Sequence, residues 1–462
     1  MATLRLDQIA EKTGGIILQG SPSLVFSTFN IDSRLTQPEE LFFALKAERD
    51  GHEFVTHAFS KGARGAVISS PITAPWSKFA LVKVEDTLLA LQELARQVLL
   101  DFSLPVVAIT GSNGKTTTKE FTSALLGRKY RVLKSEANFN NLLGLPLTLL
   151  KLTAEDEIAV LEMGMSTPGE IRRLTEIAPP QIAVITNINP VHLEFFPSLE
   201  DIALAKKEIL EGTAAEGTAV LNGDDPLVEK ISKDWKGRKI FFGLSAGCEV
   251  RASRIEQQGK KGMSFDLFFG GEKERVHFPF FYPSFLYNLL AAAGVSYSLG
   301  ISVEEVGPLV ADLKHFPMRG TPISLAEGIT LIDDSYNSNP RALEQALEGL
   351  ARIKAGRKVA VLGDMLELGK KETEYHFQAG KQVATYGWDL LVCVGQRSRH
   401  MAEGALASGM RKDQIFTCSD SEEAAEKLTS LVSSKDLILV KGSRGMKMEK
   451  VVNHLKEKFK KV

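Results

Sequence analysis

At 462 residues the chain exceeds what a single hydrophobic core supports, and ordinary domain sizes give about two to four domains, of which three are expected. Hydrophobic residues at 44% and charged residues at 24% exclude a disordered chain. A net charge of -1 leaves no global field to attract nucleic acid or an anionic membrane, so an anionic ligand must be held by local groups, and nucleic acid is not expected as a partner.

Met1 to Gly15 carries neither a basic leader nor a continuous apolar run, and no later segment has the length of a bilayer span. A cytoplasmic protein with no membrane span is expected, with a monomer as the default assembly. Cys248, Cys393 and Cys418 are odd in number and far apart, which suits packing residues rather than disulfides or a zinc site.

The first hundred residues mix short strand-like runs with leucines at helical spacing over 87–100, giving a small α/β unit across residues 1–103. Pro105 then precedes the apolar run Val106 to Thr110, which leads through a glycine-containing loop into a polar helix and opens a second domain, 104–314. Buried-strand runs recur at Ile158 to Met163 and Ile182 to Ile188, each followed by a helical stretch, so this centre reads as a doubly wound parallel sheet. Between Val250 and Phe281 the pattern alternates with Gly-Gly and Gly-Lys breaks, predicting a small antiparallel sheet that decorates the centre before a helix over 284–299. Apolar strands at Ile329 to Ile332, Lys358 to Leu362, Leu390 to Val394 and Leu437 to Val440 repeat the α/β pattern in a Rossmann-like third domain, 315–462. The lysine-rich tail Lys456 to Lys461 reads as a solvated helix end.

The segment Thr110, Gly111, Ser112, Asn113, Gly114, Lys115, Thr116, Thr117 stands between the strand and the helix of the central domain. Its backbone N–H groups converge where a phosphate meets a helix N-terminus, Lys115 neutralises β- and γ-phosphates, and the Thr116 hydroxyl suits a magnesium shell. A P-loop-type site for ATP is expected, although Ile109 stands where the general G-x-x-x-x-G-K-[ST] pattern has its first glycine. Glu162, at the carboxyl end of a predicted strand, is placed for Mg2+, because ligands of open α/β sheets gather there.

This loop resembles the nucleotide loop of the Mur ligases and of their relative folylpolyglutamate synthetase. The likeness extends to Asp32-Ser33-Arg34, Leu41-Phe42-Phe43 and Arg49-Asp50-Gly51-His52, which resemble the amino-terminal domain of the D-alanyl-D-alanine-adding Mur ligases. It continues through Asp333-Asp334-Ser335-Tyr336-Asn337-Ser338-Asn339-Pro340, with Ser338 in place of the usual Ala, and through the runs Leu362 to Gly369 and Val440 to Met446, which should face the cleft.

The resemblance implies an ATP- and Mg2+-dependent ligase that joins D-alanyl-D-alanine to UDP-N-acetylmuramoyl tripeptide through an acyl phosphate, in peptidoglycan synthesis. It implies that His192 binds a second magnesium, although an isolated histidine after a strand is more often structural. It places Lys206 at the lysine that is carbamylated in the family, where sequence alone reads a helix-surface lysine. Arg319 corresponds to the arginine that reaches ATP phosphate at a domain junction, and Asn288 to the asparagine near adenine, with Ser284-Phe285-Leu286 replacing the usual His-Asn lead-in. Asp333 would hold the ribose, with Tyr336 and Asn337 beside the nucleotide. Asn138, Asn140 and Asn141 would meet the muramoyl peptide, their alternative being a turn that caps a helix. Ser33 and Arg34 would meet the UDP group, Arg34 having a surface ion pair as its alternative. The rival readings are another amino-acid-adding Mur ligase, whose Asp-Asn-Pro-Arg motif is missing here, and a noncatalytic nucleotide-binding subunit.

Overall fold

The computed structural model describes residues 3–72, 79–136, 138–191 and 193–460. Three large sheets, with a two-stranded antiparallel ribbon of Leu4–Arg5 and Val25–Phe26, organise the described chain. The first has five strands in the order Ile16–Gln19, Ala80–Lys83, Gly65–Ile68, Leu41–Phe43 and Phe29–Asn30, parallel except for the edge strand Ile16–Gln19. The helix Thr87–Phe102 packs beside it and starts where the Asp86 side chain accepts from the N–H groups of Leu88 and Leu89.

The nine-stranded central sheet carries the site. Its parallel part runs Arg238–Gly243, Thr218–Asn222, Ile182–Ile185, Val106–Thr110, Ile158–Glu162 and Val132–Lys134. Strand order reverses on either side of Val106–Thr110, which makes its carboxyl end a topological switch point, the place where such sheets open a crevice for ligands. All five residues of this strand are buried, which is why its sequence reads as an unbroken apolar run ending in threonine.

The antiparallel strands Val250–Gln257, Met263–Phe269 and Glu272–Phe278 do not form the separate small sheet that the sequence suggested. They extend the central sheet, because Phe242 and Gly243 pair in parallel with Val250 and Arg251. Buried Phe265 and Phe278 line the inward face, and Phe278 and Phe280 meet Phe121 of the helix Lys115–Leu126 at 5.8 and 5.1 Å. The helix that opens the phosphate loop is thereby anchored from behind by edge-to-face aromatic contacts.

The third sheet has the order Thr321–Ser324, Thr330–Asp334, Leu437–Lys441, Lys358–Gly363, Leu390–Val394 and Ile415–Cys418, parallel except for its first, edge strand. Its four central strands match the apolar runs of the sequence; Thr321–Ser324 and Ile415–Cys418 are too polar and short to stand out there. An apolar core runs from the central sheet through Tyr282, Phe285 and Leu289 to Ile332, Leu343 and Leu347, so the second and third units share packing.

All three cysteines are free and buried. Burial pushes the Cys248 and Cys418 thiols up to about 11, and that of Cys393 higher still. At pH 8 only about one thiol in a thousand is then ionised at the first two. Iodoacetamide should label the native protein negligibly over an hour and label all three thiols on unfolding; fast labelling of the native protein would contradict this packing. Among the described residues, no helix is long and apolar enough to cross a membrane.

Candidate active site

The phosphate loop is held open by two glycines and by amide side chains from the neighbouring strand end. Gly111 has φ 149°, and a Cβ there would stand 1.9 Å from Thr186 Oγ1. Gly114 has φ 81°, and a Cβ would stand 2.1 Å from Asn288 Oδ1. Neither position accepts a side chain without moving the loop. The Asn113 N–H donates to Asn187 Oδ1 at 2.9 Å, and the Asn113 carbonyl accepts from Thr186 Oγ1 and Asn187 Nδ2 at 2.7 and 3.1 Å. Ser112 Oγ donates to the Asn189 carbonyl at 3.0 Å. These bonds fix the loop before any phosphate arrives.

Lys115 Nζ donates to the Gly111 carbonyl at 2.8 Å, so its ammonium folds over the loop. Burial lowers its pKa from the ordinary lysine value, Arg319 adds to that, and the Glu162 carboxylate opposes it. Thr116 Oγ1 donates to Glu162 Oε2 at 2.7 Å and accepts from Arg319 Nη2 at 3.0 Å. Asn140 Nδ2 donates to Glu162 Oε1 at 2.8 Å. One hydroxyl therefore joins the loop, the neighbouring strand end and an arginine 203 residues further along the chain.

Arg319 is aimed by its surroundings. Met318 before it has φ 63°, a left-handed conformation that methionine rarely adopts, and the Met318 carbonyl accepts from the Tyr336 N–H at 3.1 Å. The Arg319 guanidinium carbon lies 4.1 Å from the Tyr336 ring centroid. Asn339, at the start of the helix Pro340–Ala351, donates through Nδ2 to Asn113 Oδ1 at 2.5 Å, a second bond between the third unit and the loop.

A cleft of about 960 Å3 opens over these groups. Its wall includes Ser112 to Thr117, Asn138, Asn140, Asn141, Glu162, Asn288, Arg319, Tyr336 and Asn337. Asn141 lines the cleft and also accepts from the N–H groups of Leu143 and Gly144, so the run forms a turn at the cleft wall. Thr110 is wholly buried, and neither it nor Gly111 borders the cleft.

Other sequence-derived residues stand elsewhere. Asp333 is buried and accepts from Ser335 Oγ at 2.6 Å, while its neighbour Asp334 lines the cleft and pairs with Lys441 at 2.7 Å. Ser33 Oγ lies 3.0 Å from His57 Nδ1, and Arg34, 81% exposed, chelates Asp32 at 2.9 and 2.6 Å. Neither borders the cleft, and Arg34 is ion-paired to Asp32 at the surface. His192 lies outside the described residues.

Lys206 sits on the inner face of the helix Leu199–Glu211 and is 2% exposed, not on the solvated face that the sequence alone suggested. Desolvation, with a contribution from Lys115, drives its pKa well below the ordinary lysine value. No acidic partner meets it among the described residues.

Sequence reasoning did not single out Lys441, Arg444 or Asp334 as individual site residues, although it marked Val440 to Met446 as facing the cleft. Their signal was position, at strand ends that share one side of the third sheet.

Fold and cleft together define a multidomain α/β protein of the phosphate-loop nucleotide-binding class. The models for the Mur ligase middle domain and the Mur ligase, glutamate ligase domain match residues 109–296 and 318–444. A UDP-N-acetylmuramoyl-tripeptide--D-alanyl-D-alanine ligase of Bacillus subtilis (strain 168) is 36% identical over 428 residues, 92% of each chain. A crystal structure of MurF from Acinetobacter baumannii superposes with a TM-score of 0.90 at 30% identity, over 99% of both chains. MurF from Thermotoga maritima in complex with ADP superposes with a TM-score of 0.83 at 31% identity, over 94% of this chain and 97% of that one. The chain belongs to the Mur ligase family and has its three-domain fold.

Proposed function

We propose that this protein is the ATP-dependent ligase that adds D-alanyl-D-alanine to UDP-N-acetylmuramoyl tripeptide in peptidoglycan synthesis. The observation that carries the reading is the meeting of Thr116, Glu162 and Arg319 at one point of the cleft, beside Lys115, in a chain whose full-length relatives bear that ligase name. The γ-phosphoryl group passes from ATP to the terminal carboxylate of the tripeptide, forming an O–P bond as the bond to ADP breaks. The dipeptide amine then attacks the acyl carbon, forming C–N and releasing phosphate as the amine loses a proton.

Phosphoryl transfer asks mainly for positioning and neutralised charge. The loop N–H groups hold the phosphates at the N-terminus of the helix Lys115–Leu126, Lys115 and Arg319 offset their charge from two sides, and Asn138, Asn140 and Asn141 present amides to the peptide. Asn288 stands behind the loop on the adenine side, with Tyr336 and Asn337 toward the nucleotide; of the two adjacent aspartates, Asp334 borders the cleft and Asp333 supports the turn. Ser33 and Arg34 serve the UDP end from the first domain.

Thr116 and Glu162 offer hard oxygen donors within 2.7 Å of each other, and among the described residues no cluster of three or more His, Cys, Asp or Glu side chains surrounds them. That set fits Mg2+, which favours one or two carboxylates together with substrate phosphate and water. Bound there, the ion would offset charge on the transferring group. Lys206, buried and without an acidic partner among the described residues, fits a lysine that would become anionic by carbamylation and, with His192, would hold a second ion.

Under this reading the units divide at 103/104 and 314/315, which falls between the three sheets. A monomer is the default assembly, and the nucleotide substrates suit a cytoplasmic enzyme. The test is to supply tripeptide with 18O in its terminal carboxylate: one 18O per turnover should appear in inorganic phosphate. Product formation without that transfer would exclude the acyl phosphate.

A further inference from the structure

We propose that Ser135 and Lys119, neither of which borders the cleft, are positioning residues for the metal: they fix the backbone of Glu162 so that its carboxylate meets Thr116. This rests on the magnesium reading of that pair given above. The strand Val132–Lys134 runs parallel to Ile158–Glu162 in a register that pairs Lys134 with Val160. The Ser135 N–H donates to the Val160 carbonyl at 3.2 Å. A parallel ladder repeats its bonds at every second residue, so the next one would run from the Glu162 N–H to the Ser135 carbonyl. That bond is replaced. The Glu162 N–H donates to Ser135 Oγ at 3.2 Å, and the Ser135 carbonyl accepts from Lys119 Nζ. A side-chain oxygen thus ends the ladder at the residue that carries the carboxylate. It also frees the chain to leave the sheet toward Asn140, whose amide bonds the same carboxylate at 2.8 Å.

Lys119 is wholly buried, with Glu120 at 3.0 Å as its counter-charge. It stands three residues after Thr116 on the helix Lys115–Leu126, so the two share a face. Thr116 donates to the Glu162 carboxylate at 2.7 Å, Glu162 donates from its backbone to Ser135, and Ser135 is held by Lys119, which closes a ring back to the same helix. A plain strand end needs neither device, since the carbonyl would stay in the ladder and no ammonium would be buried to meet it. The ring contains both residues that offer oxygen to the metal. Mg2+ asks for near-ideal octahedral geometry with short bonds, so a slip of the Glu162 backbone costs affinity even with the carboxylate chemically intact.

The experiment titrates Mn2+, followed by its electron paramagnetic resonance signal, into the full chain loaded with a nonhydrolysable ATP analogue. Ser135→Ala should raise the Mn2+ dissociation constant by about 10–100-fold, the range for partners one step outside the metal ligands, while metal-free affinity for the analogue stays within about twofold. Lys119→Met should move the constant the same way, and Ser135→Thr, which keeps the hydroxyl, should bind Mn2+ as the wild type does. Ser135→Cys, of similar volume but a weak acceptor, should fall between Ala and wild type, and it carries the comparison if the alanine chain does not fold. An Mn2+ constant unchanged in the Ala or Cys variant would overturn the proposal, whatever happens to the melting temperature. So would an equal loss of metal-free analogue affinity, because Ser135 would then shape the phosphate loop rather than the carboxylate. A wild type that takes up no Mn2+ beyond the share of the free analogue would instead sink the magnesium reading itself, a distinguishable result.

Discussion

Replacing Lys115 with Met should lower kcat for ATP-dependent ligation by about 10^2- to 10^3-fold, with a melting temperature within a few degrees of the wild type. The rate effect follows from removing the cation nearest the loop, since a single preorganised group acting on developing charge is worth about 10^2 to 10^3 in rate and the central phosphate charge depends on this one most. The small stability effect follows from the contacts: among the described residues the Lys115 side chain makes one hydrogen bond, to its own loop at Gly111, and methionine has similar reach without the cost of burying a cation. Stopped-assay phosphate release and thermal unfolding on one preparation check both halves. Near-normal turnover would remove the loop from the chemistry, and a collapsed melting temperature would make the variant uninformative about rate, in which case Lys115→Gln serves.

Lys206→Met should lose activity by at least about 10^2-fold while matching or exceeding the wild type in stability in carbonate-free buffer. A buried ammonium without a counter-charge is among the costlier groups to keep in a fold, so replacing it with a thioether of similar volume relieves strain. A position that weakens the fold and has no acidic partner among the described residues is explained if its chemical form changes in use. Bicarbonate should accordingly raise wild-type activity in carbonate-depleted enzyme and leave the variant unchanged. A fully active Lys206→Met protein would show that the lysine is only a packing residue.

How much of this was visible in the sequence depends on how local each feature is. The phosphate loop is contiguous, and strand, glycines, lysine and helix appear in one stretch, so Gly111 to Thr117 could be placed before any coordinates. The bonds that complete the site are not local: Arg319 reaches Thr116 across 203 positions and Asn339 reaches Asn113 across 226. Arg319 was found only through family resemblance, and its contact with Thr116 had no signal in composition or period.

Register produced the ambiguity at Asp333 and Asp334. Successive strand residues point to opposite faces, so adjacent aspartates at a strand end differ entirely in what they meet, and nothing in Asp-Asp says which one faces the crevice. Lys206 misled in the opposite direction: Lys206-Lys207 looks like a solvated face, yet the helix turns the first inward and leaves the second half-buried near Asp234. The hairpin region showed its antiparallel alternation plainly but not its partner, because edge pairing with Arg238–Gly243 is decided by the exposed strand edge available to it.

The central claim is tested most directly by phosphate release from ATP with Mg2+, UDP-N-acetylmuramoyl tripeptide and D-alanyl-D-alanine, omitting each peptide substrate in turn and weighing the product by mass spectrometry. Release that requires both substrates, together with the pentapeptide mass, is the predicted result. ATP binding without release, or release that ignores the dipeptide, would contradict it.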